Sequence, residues 1–159
     1  MLTIKKILCP VDFSEPSYEA LRIAGELASN FSAELCVIHV VTENINFDGL
    51  VNILSLDVKS IQQRILEKYK KKLKKVIEKK VSMNVRVDPI VFEGNPAGDI
   101  VKIAELENPD IIVMATHGQT GWRHLVFGSV AEKVVRLTKY PVLTINAPQK
   151  QRRMMSQQS

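Results

Sequence analysis

Apolar residues recur along this chain in two rhythms. Five short stretches are almost continuously apolar: KILCPV (6–11), ELCVIHVV (34–41), VRVDPIVF (85–92), DIIVM (110–114) and YPVLTI (140–145). Runs of this length, rich in β-branched residues and bounded by polar or turn residues, predict buried strands. In the segments between them apolar residues return every three or four positions, the spacing of one helix face. Residues 14–30 place Leu21, Ala24, Leu27 and Ala28 on such a face, continued by Phe31, with Ser14 as N-cap and Pro16 in the first turn. Residues 58–80 do the same with Ile61, Ile65, Tyr69, Leu73 and Val76. A third helix opens at Asn95 and Pro96, an N-cap and N1 pair, and a fourth covers residues 129–138.

The order is therefore βαβαβαβαβ. Alternation of helices with strands that are apolar on both faces predicts an α/β fold: a doubly wound five-stranded parallel sheet, helices on both faces and right-handed crossovers. Pro89 cannot donate to a ladder, which predicts an edge position for the third strand. Residues 42–57 carry no clear period and read as a long connection.

Composition narrows this picture. The 159 residues, 45% hydrophobic and 25% charged, suit one globular domain over 1–147, followed by a polar, basic and disordered tail over 148–159. MLTIKKILCPVDFSE has no apolar leader core, and the longest apolar runs are too short to span a bilayer, so a cytoplasmic location without membrane contact is expected. Cys9 and Cys36 both lie inside strand runs and read as buried, reduced thiols. Charge is uneven. The net +5 contains +6 from EKYKKKLKKVIEKK (67–80) and +3 from the tail, leaving −4 for the rest. The lysines read as a solvated helix face rather than a nucleic-acid surface, because the one aromatic among them, Tyr69, falls on the apolar stripe.

Open parallel sheets bind ligands beyond the carboxyl ends of their strands. Two loops there are chemically distinctive. One follows the first strand and contains Asp12, a carboxylate able to accept from ribose or adenine, or from backbone amides of its own turn. The other is ATHGQTGWRHLVFGS (115–129), a strand end, a glycine turn and a helix start. Free amides at a helix N-terminus favour phosphate. Ser129 and Glu132 also have the spacing of a capping box, which predicts Ser129 as N-cap. The P-loop pattern, the G-x-G-x-x-G fingerprint and the G-x-S-x-G elbow are missing, and His117 and His124 have no neighbours at metal-ligand spacing. His39, at the end of the second strand, reads as a packed or ligand-adjacent residue rather than a catalytic one.

KKILCPVDFSEPSYEAL, the HVV of the second strand, EGNPAGDIVKIAE and VMATHGQTGWRHLVFGSVAEKVVRLTKYPVLTI together resemble the universal stress protein family. Nucleotide-binding members carry G-x2-G-x9-G-[ST]. Here Gly118, Gly128 and Ser129 match, Ala115 replaces the first glycine, and Gly121 lies outside the motif. The resemblance implies strand order 3-2-1-4-5, a Rossmann variant like that of the adenine nucleotide alpha hydrolases, with an ATP crevice between strands one and four. By this correspondence Pro10, Val11 and Asp12 line the adenosine side and Val40 packs near adenine. Met114, Ala115, His117 and Gly118 form the turn. Gly128, Ser129 and Val130 hold phosphates, with Gln119 and Arg123 reaching toward them. It also implies a homodimer through residues 140–145, an apolar edge. The function expected is an ATP-binding stress-response or signalling module, with Mg2+ as an accompanying ion and little or no turnover. The alternatives are a dimeric interaction protein without nucleotide and a slow ATPase.

Overall fold

One parallel ladder organises the molecule. The computed structural model describes residues 3–42, 58–116 and 128–146. Within them, β1 (Lys6–Pro10), β2 (Glu34–Val41), β3 (Val87–Glu93), β4 (Ile111–Ala115) and β5 (Val142–Ile145) form a single sheet in the order β3-β2-β1-β4-β5. Each neighbouring pair is parallel. The helices are α1 (Glu15–Phe31), α2 (Val58–Lys80), α3 (Pro96–Glu107) and α4 (Ser129–Leu137). Order and class are those the resemblance implies, and β3 with its Pro89 is an edge strand.

Strand residues point alternately to opposite faces. Ile7, Cys9 and Val11 of the first strand and its exit pack with Leu21, Ala24 and Ala28 of α1 and Leu73 of α2. Leu8, Ile38, Val40, Ile112 and Met114 pack with Ile100 and Ala104 of α3 and Ala131 and Val134 of α4. Ile7, Leu8, Leu21, Ile38 and Ile112 are fully buried, each contributing about 1.5–3 kcal/mol of burial free energy. Gly25 lets α1 close on the end of α2: a Cβ there would stand 3.2 Å from the Val81 side chain. Cys9 and Cys36 are buried, free thiols. Desolvation, helped by the Glu107 and Asp88 carboxylates, pushes Cys36 up to about 12, so it is a protonated thiol at neutral pH.

The caps predicted for α1 and α3 hold. Ser14 is extended and its side chain accepts from the Ser17 amide; Asn95 does the same for the Gly98 amide. Strand boundaries and one helix face differ. β1 stops at Pro10, β3 runs from Val87 to Glu93, β4 is shifted by one residue to take in Ala115, and β5 begins at Val142. Phe31, placed by spacing on the buried stripe of α1, is 47% exposed, because the chain turns away there through the left-handed Ser32. Residues 43–57 of the long connection, residue 147 and the tail over 148–159 lie outside the described residues.

Candidate functional site

β1 and β4 are neighbours for only part of their length. β1 is in register with β2 from Lys6 to Pro10, but with β4 only at Ile7 and Leu8, opposite Ile111 and Ile112. Beyond that point the two strands turn to different partners. The Val11 amide donates to the Ile38 carbonyl at 2.8 Å, and the Thr116 amide to the Ile145 carbonyl at 3.0 Å. This is the reversal of strand order at which open parallel sheets form ligand crevices. A cavity of about 330 Å³ opens there.

Pro10, Val11 and Asp12 from the exit of β1, and Val40 from β2, line one side. Met114 and Ala115 from the end of β4, with Gly128, Ser129 and Val130 at the start of α4, line the other. His117, Gly118, Gln119 and Arg123 lie outside the described residues. Sequence reasoning missed a third wall. Pro96 and Ile100 of α3 also line the cavity, as do Ser17, His39 and Thr116, all three buried. A signal for α3 existed: in a parallel sheet every helix that follows a strand starts at the same edge, so the Asn95–Pro96 start belongs beside the other two loops.

Asp12 faces the cavity while holding its own turn. Its carboxylate lines the cavity, and its Oδ1 accepts the Ser14 amide at 3.0 Å and the Ser14 hydroxyl. Ser14 in turn caps α1. Between them Phe13 has φ 65°, a left-handed backbone that a bulky side chain rarely adopts. Behind this turn sits His39, whose Nδ1 lies 2.7 Å from the Val11 carbonyl. A carbonyl only accepts, so Nδ1 carries the proton. The imidazole packs on Phe13 at 4.3 Å and on Tyr69 of α2 at 5.1 Å between ring centroids. Lys72 Nζ stands 4.0 Å from the Phe13 centroid. Burial holds the His39 pKa below its ordinary value, and Lys72 adds to this; the Val11 bond and Asp12 act against it.

The opposite wall corrects the capping expectation. Ser129 is not the N-cap of α4. Gly128 is, with an extended backbone at φ −70° and no side-chain capping bond. The chain enters the helix one residue earlier than the capping-box pattern suggests, because the Gly128 carbonyl already accepts from the Glu132 amide at 2.9 Å. Ser129, Val130 and Ala131 precede that first intrahelical bond, so their amides have no partner within the helix. All three residues line the cavity. The N-terminus of α3 differs: Asn95 and Asp99 satisfy its first amides from within. Ala115, where the motif has glycine, is absent from the residues with positive φ and continues β4 opposite Ile145. Alanine therefore introduces no backbone strain there.

The family model of the universal stress proteins matches residues 3–146. This chain belongs to the universal stress protein family. Among relatives, it is 37% identical over 147 residues to the universal stress protein MJ0531 of Methanocaldococcus jannaschii, covering 92% of this chain and 85% of that protein. The universal stress protein MJ0577 of the same organism is 32% identical, with 89% and 94% covered. Its solved structure superposes with a TM-score of 0.77 over 92% of this chain and 98% of that one, at 30% identity. A universal stress protein from Archaeoglobus fulgidus, solved in complex with dAMP, shares the fold at 20% identity and a TM-score of 0.55, covering 92% of this chain and all of that one. No described helix is long and apolar enough to cross a membrane.

Proposed function

We propose that the crevice between β1 and β4 binds an adenine nucleotide, with ATP as the ligand. The observation that carries this reading is the pairing of two unlike walls across one cavity: the start of α4, whose Ser129, Val130 and Ala131 amides lack helical partners, and the apolar side with Asp12. Phosphate suits the first, through the amides and the helix dipole. A purine between Val11, Val40 and Met114, with ribose near Asp12, suits the second. Ala115 is compatible, since its backbone is extended. The dAMP complex of a family member of the same fold supports an adenine nucleotide as the ligand class.

Turnover is slow or nil in this reading. Among the described lining residues the titratable side chains are Asp12 and His39, and each is engaged by the backbone of the β1–α1 turn. No described cluster of His, Cys, Asp or Glu could by itself hold a metal. Mg2+ would arrive on the phosphates, with Asp12 the one carboxylate among the described lining residues. The protein then works as a cytoplasmic stress-response or signalling module that reports nucleotide by being occupied. Its homodimer would form through the β5 edge, where Leu143 is 38% exposed.

The test is nucleotide analysis of the purified, denatured protein together with calorimetric titration of ATP, ADP and AMP. Bound adenine nucleotide, or saturable ATP binding with negligible ADP release, supports the reading. No binding at millimolar ATP overturns it and leaves the dimeric interaction protein.

A further inference from the structure

His39 lines the crevice and is tied to both residues that flank Asp12. Its Nδ1–H bonds the Val11 carbonyl at 2.7 Å, and its ring packs on Phe13 at 4.3 Å. Phe13 is the left-handed residue of the turn, so the direction in which Asp12 leaves β1 depends on keeping φ 65° there. An outlier of this kind persists only where its surroundings over-determine it, and such outliers cluster at functional walls. The surroundings here are the imidazole, the Tyr69 ring 6.0 Å from Phe13, and the Lys72 ammonium over its face. Tyr69 and Lys72 both come from α2, the lysine-rich helix. Its inner edge thus clamps the turn that carries Asp12.

We infer that His39 is a positioning residue for the ligand: its Nδ1–H bond to Val11, braced by Phe13 and α2, holds the Val11–Asp12 wall in the geometry that meets the nucleoside. The inference rests on the nucleotide reading of the crevice. Its structural half concerns the turn alone and is measured without ligand. A packing role alone predicts that affinity follows stability. A positioning role predicts that affinity follows the N–H donor, whatever happens to stability.

Two variants separate these roles. His39→Leu fills the space without a donor. His39→Asn places an amide N–H near the Nδ1 position but removes the ring. Both should lower the melting temperature. ATP affinity should fall about tenfold in His39→Leu, the loss of one buried hydrogen bond, and stay within about threefold of wild type in His39→Asn. In the ligand-free protein, hydrogen exchange at the Ser14 amide, which is held by Asp12, should speed up in His39→Leu and not in His39→Asn. If His39→Leu does not fold, Phe13→Gly replaces it. Glycine accepts φ 65° without strain and removes the ring that braces the imidazole, so the same two losses are expected. Equal affinity in His39→Leu and wild type, or equally weak binding in both His39 variants, overturns the inference. If wild type binds no nucleotide, the reading of the crevice fails instead. The exchange experiment then decides alone: an unchanged Ser14 amide in His39→Leu shows that His39 does not position the wall.

Discussion

The Gly128 amide donates to the Thr116 carbonyl at 2.6 Å. One bond thus joins the exit of β4 to the entry of α4 and sets the helix start against the cavity. Gly128 has φ −70° and ψ 155°, which any residue can adopt. Gly128→Leu should therefore fold, with a helix-cap loss of about 0.5–1 kcal/mol. Its side chain would occupy volume at the α4 wall of the cavity. ATP affinity should drop by on the order of tenfold or more, about 1.4 kcal/mol. Titration calorimetry on the variant, alongside sedimentation to confirm an unchanged assembly state, checks this.

Ala115 gives a sharper contrast. Its extended backbone means the alanine is not a strained stand-in for glycine. Ala115→Gly should cost about 0.5–1 kcal/mol of stability, as glycine does within a strand, and change ATP affinity by less than about threefold. A gain beyond tenfold would mean that the methyl group obstructs the ligand.

His39 makes stability depend on pH in a defined window. Its folded pKa lies below the unfolded value of 6.5, so folding favours the neutral ring. The corresponding stability is complete above pH 6.5 and is lost as pH falls through the folded value. Lys72 and Asp12, which face the ring from α2 and the β1–α1 turn, shift that window in opposite directions. Urea midpoints at pH 7.5 and 5.5 should show a smaller loss on acidification in His39→Asn than in wild type. A separate acid limb is expected at lower pH. Asp110, held down by the Lys5 and Lys6 amides, loses its contribution as pH falls below its ordinary 3.8 toward the folded value.

At the sheet edge, Leu143 of β5 is 38% exposed. Leu143→Lys puts a charge on that edge, which blocks strand pairing. It should shift the protein from dimer to monomer in analytical ultracentrifugation with little change in thermal stability at low protein concentration. A wild-type protein that is monomeric at every concentration would dispose of the edge dimer.

The lysine-rich helix is predicted to be a structural layer. Leu73 is fully buried, and its truncation should cost about 2–5 kcal/mol. Lys71→Glu, on an exposed position of the same helix, should stay within about 0.5 kcal/mol. Chemical denaturation of both variants tests this.

Much of this architecture is legible in the chain because its signals are local. The Ile61–Val76 stripe locates α2, Ser14 and Asn95 announce their helices, and Pro89 marks an edge. What was not legible depends on partners. The end of β1 is decided by where β2 and β4 stop pairing, which no property of Val11 encodes. Ser129 satisfies a capping pattern, but Gly128 takes the helix's first bond. Phe31 keeps helical spacing at a point where the layer beneath it has ended. In the crevice, Asp12 and Gly128 follow from their loops, whereas Pro96 and Ile100 arrive from a helix distant in sequence. His39 reads in sequence as packed or ligand-adjacent, and the structure makes it a buried residue of the cavity lining. Its bond to Val11 is visible only once β1 and β2 lie side by side.

The seam between β1 and β4 is strong at one end and open at the other. At its root Asp110 binds the Lys5 and Lys6 amides at 2.7 and 2.9 Å, and Lys6 pairs with Glu107 at 2.5 Å. Past Leu8 and Ile112 the two strands share no further register. Mechanically this is a clothes-peg, two leaves sprung from a stapled base. An occupant gripping both leaves would stiffen the jaw far more than the hinge, so protection on ligand binding should be concentrated at Val11–Ser14 and at Thr116, Gly128 and Ser129, and be nearly absent at Lys5–Lys6.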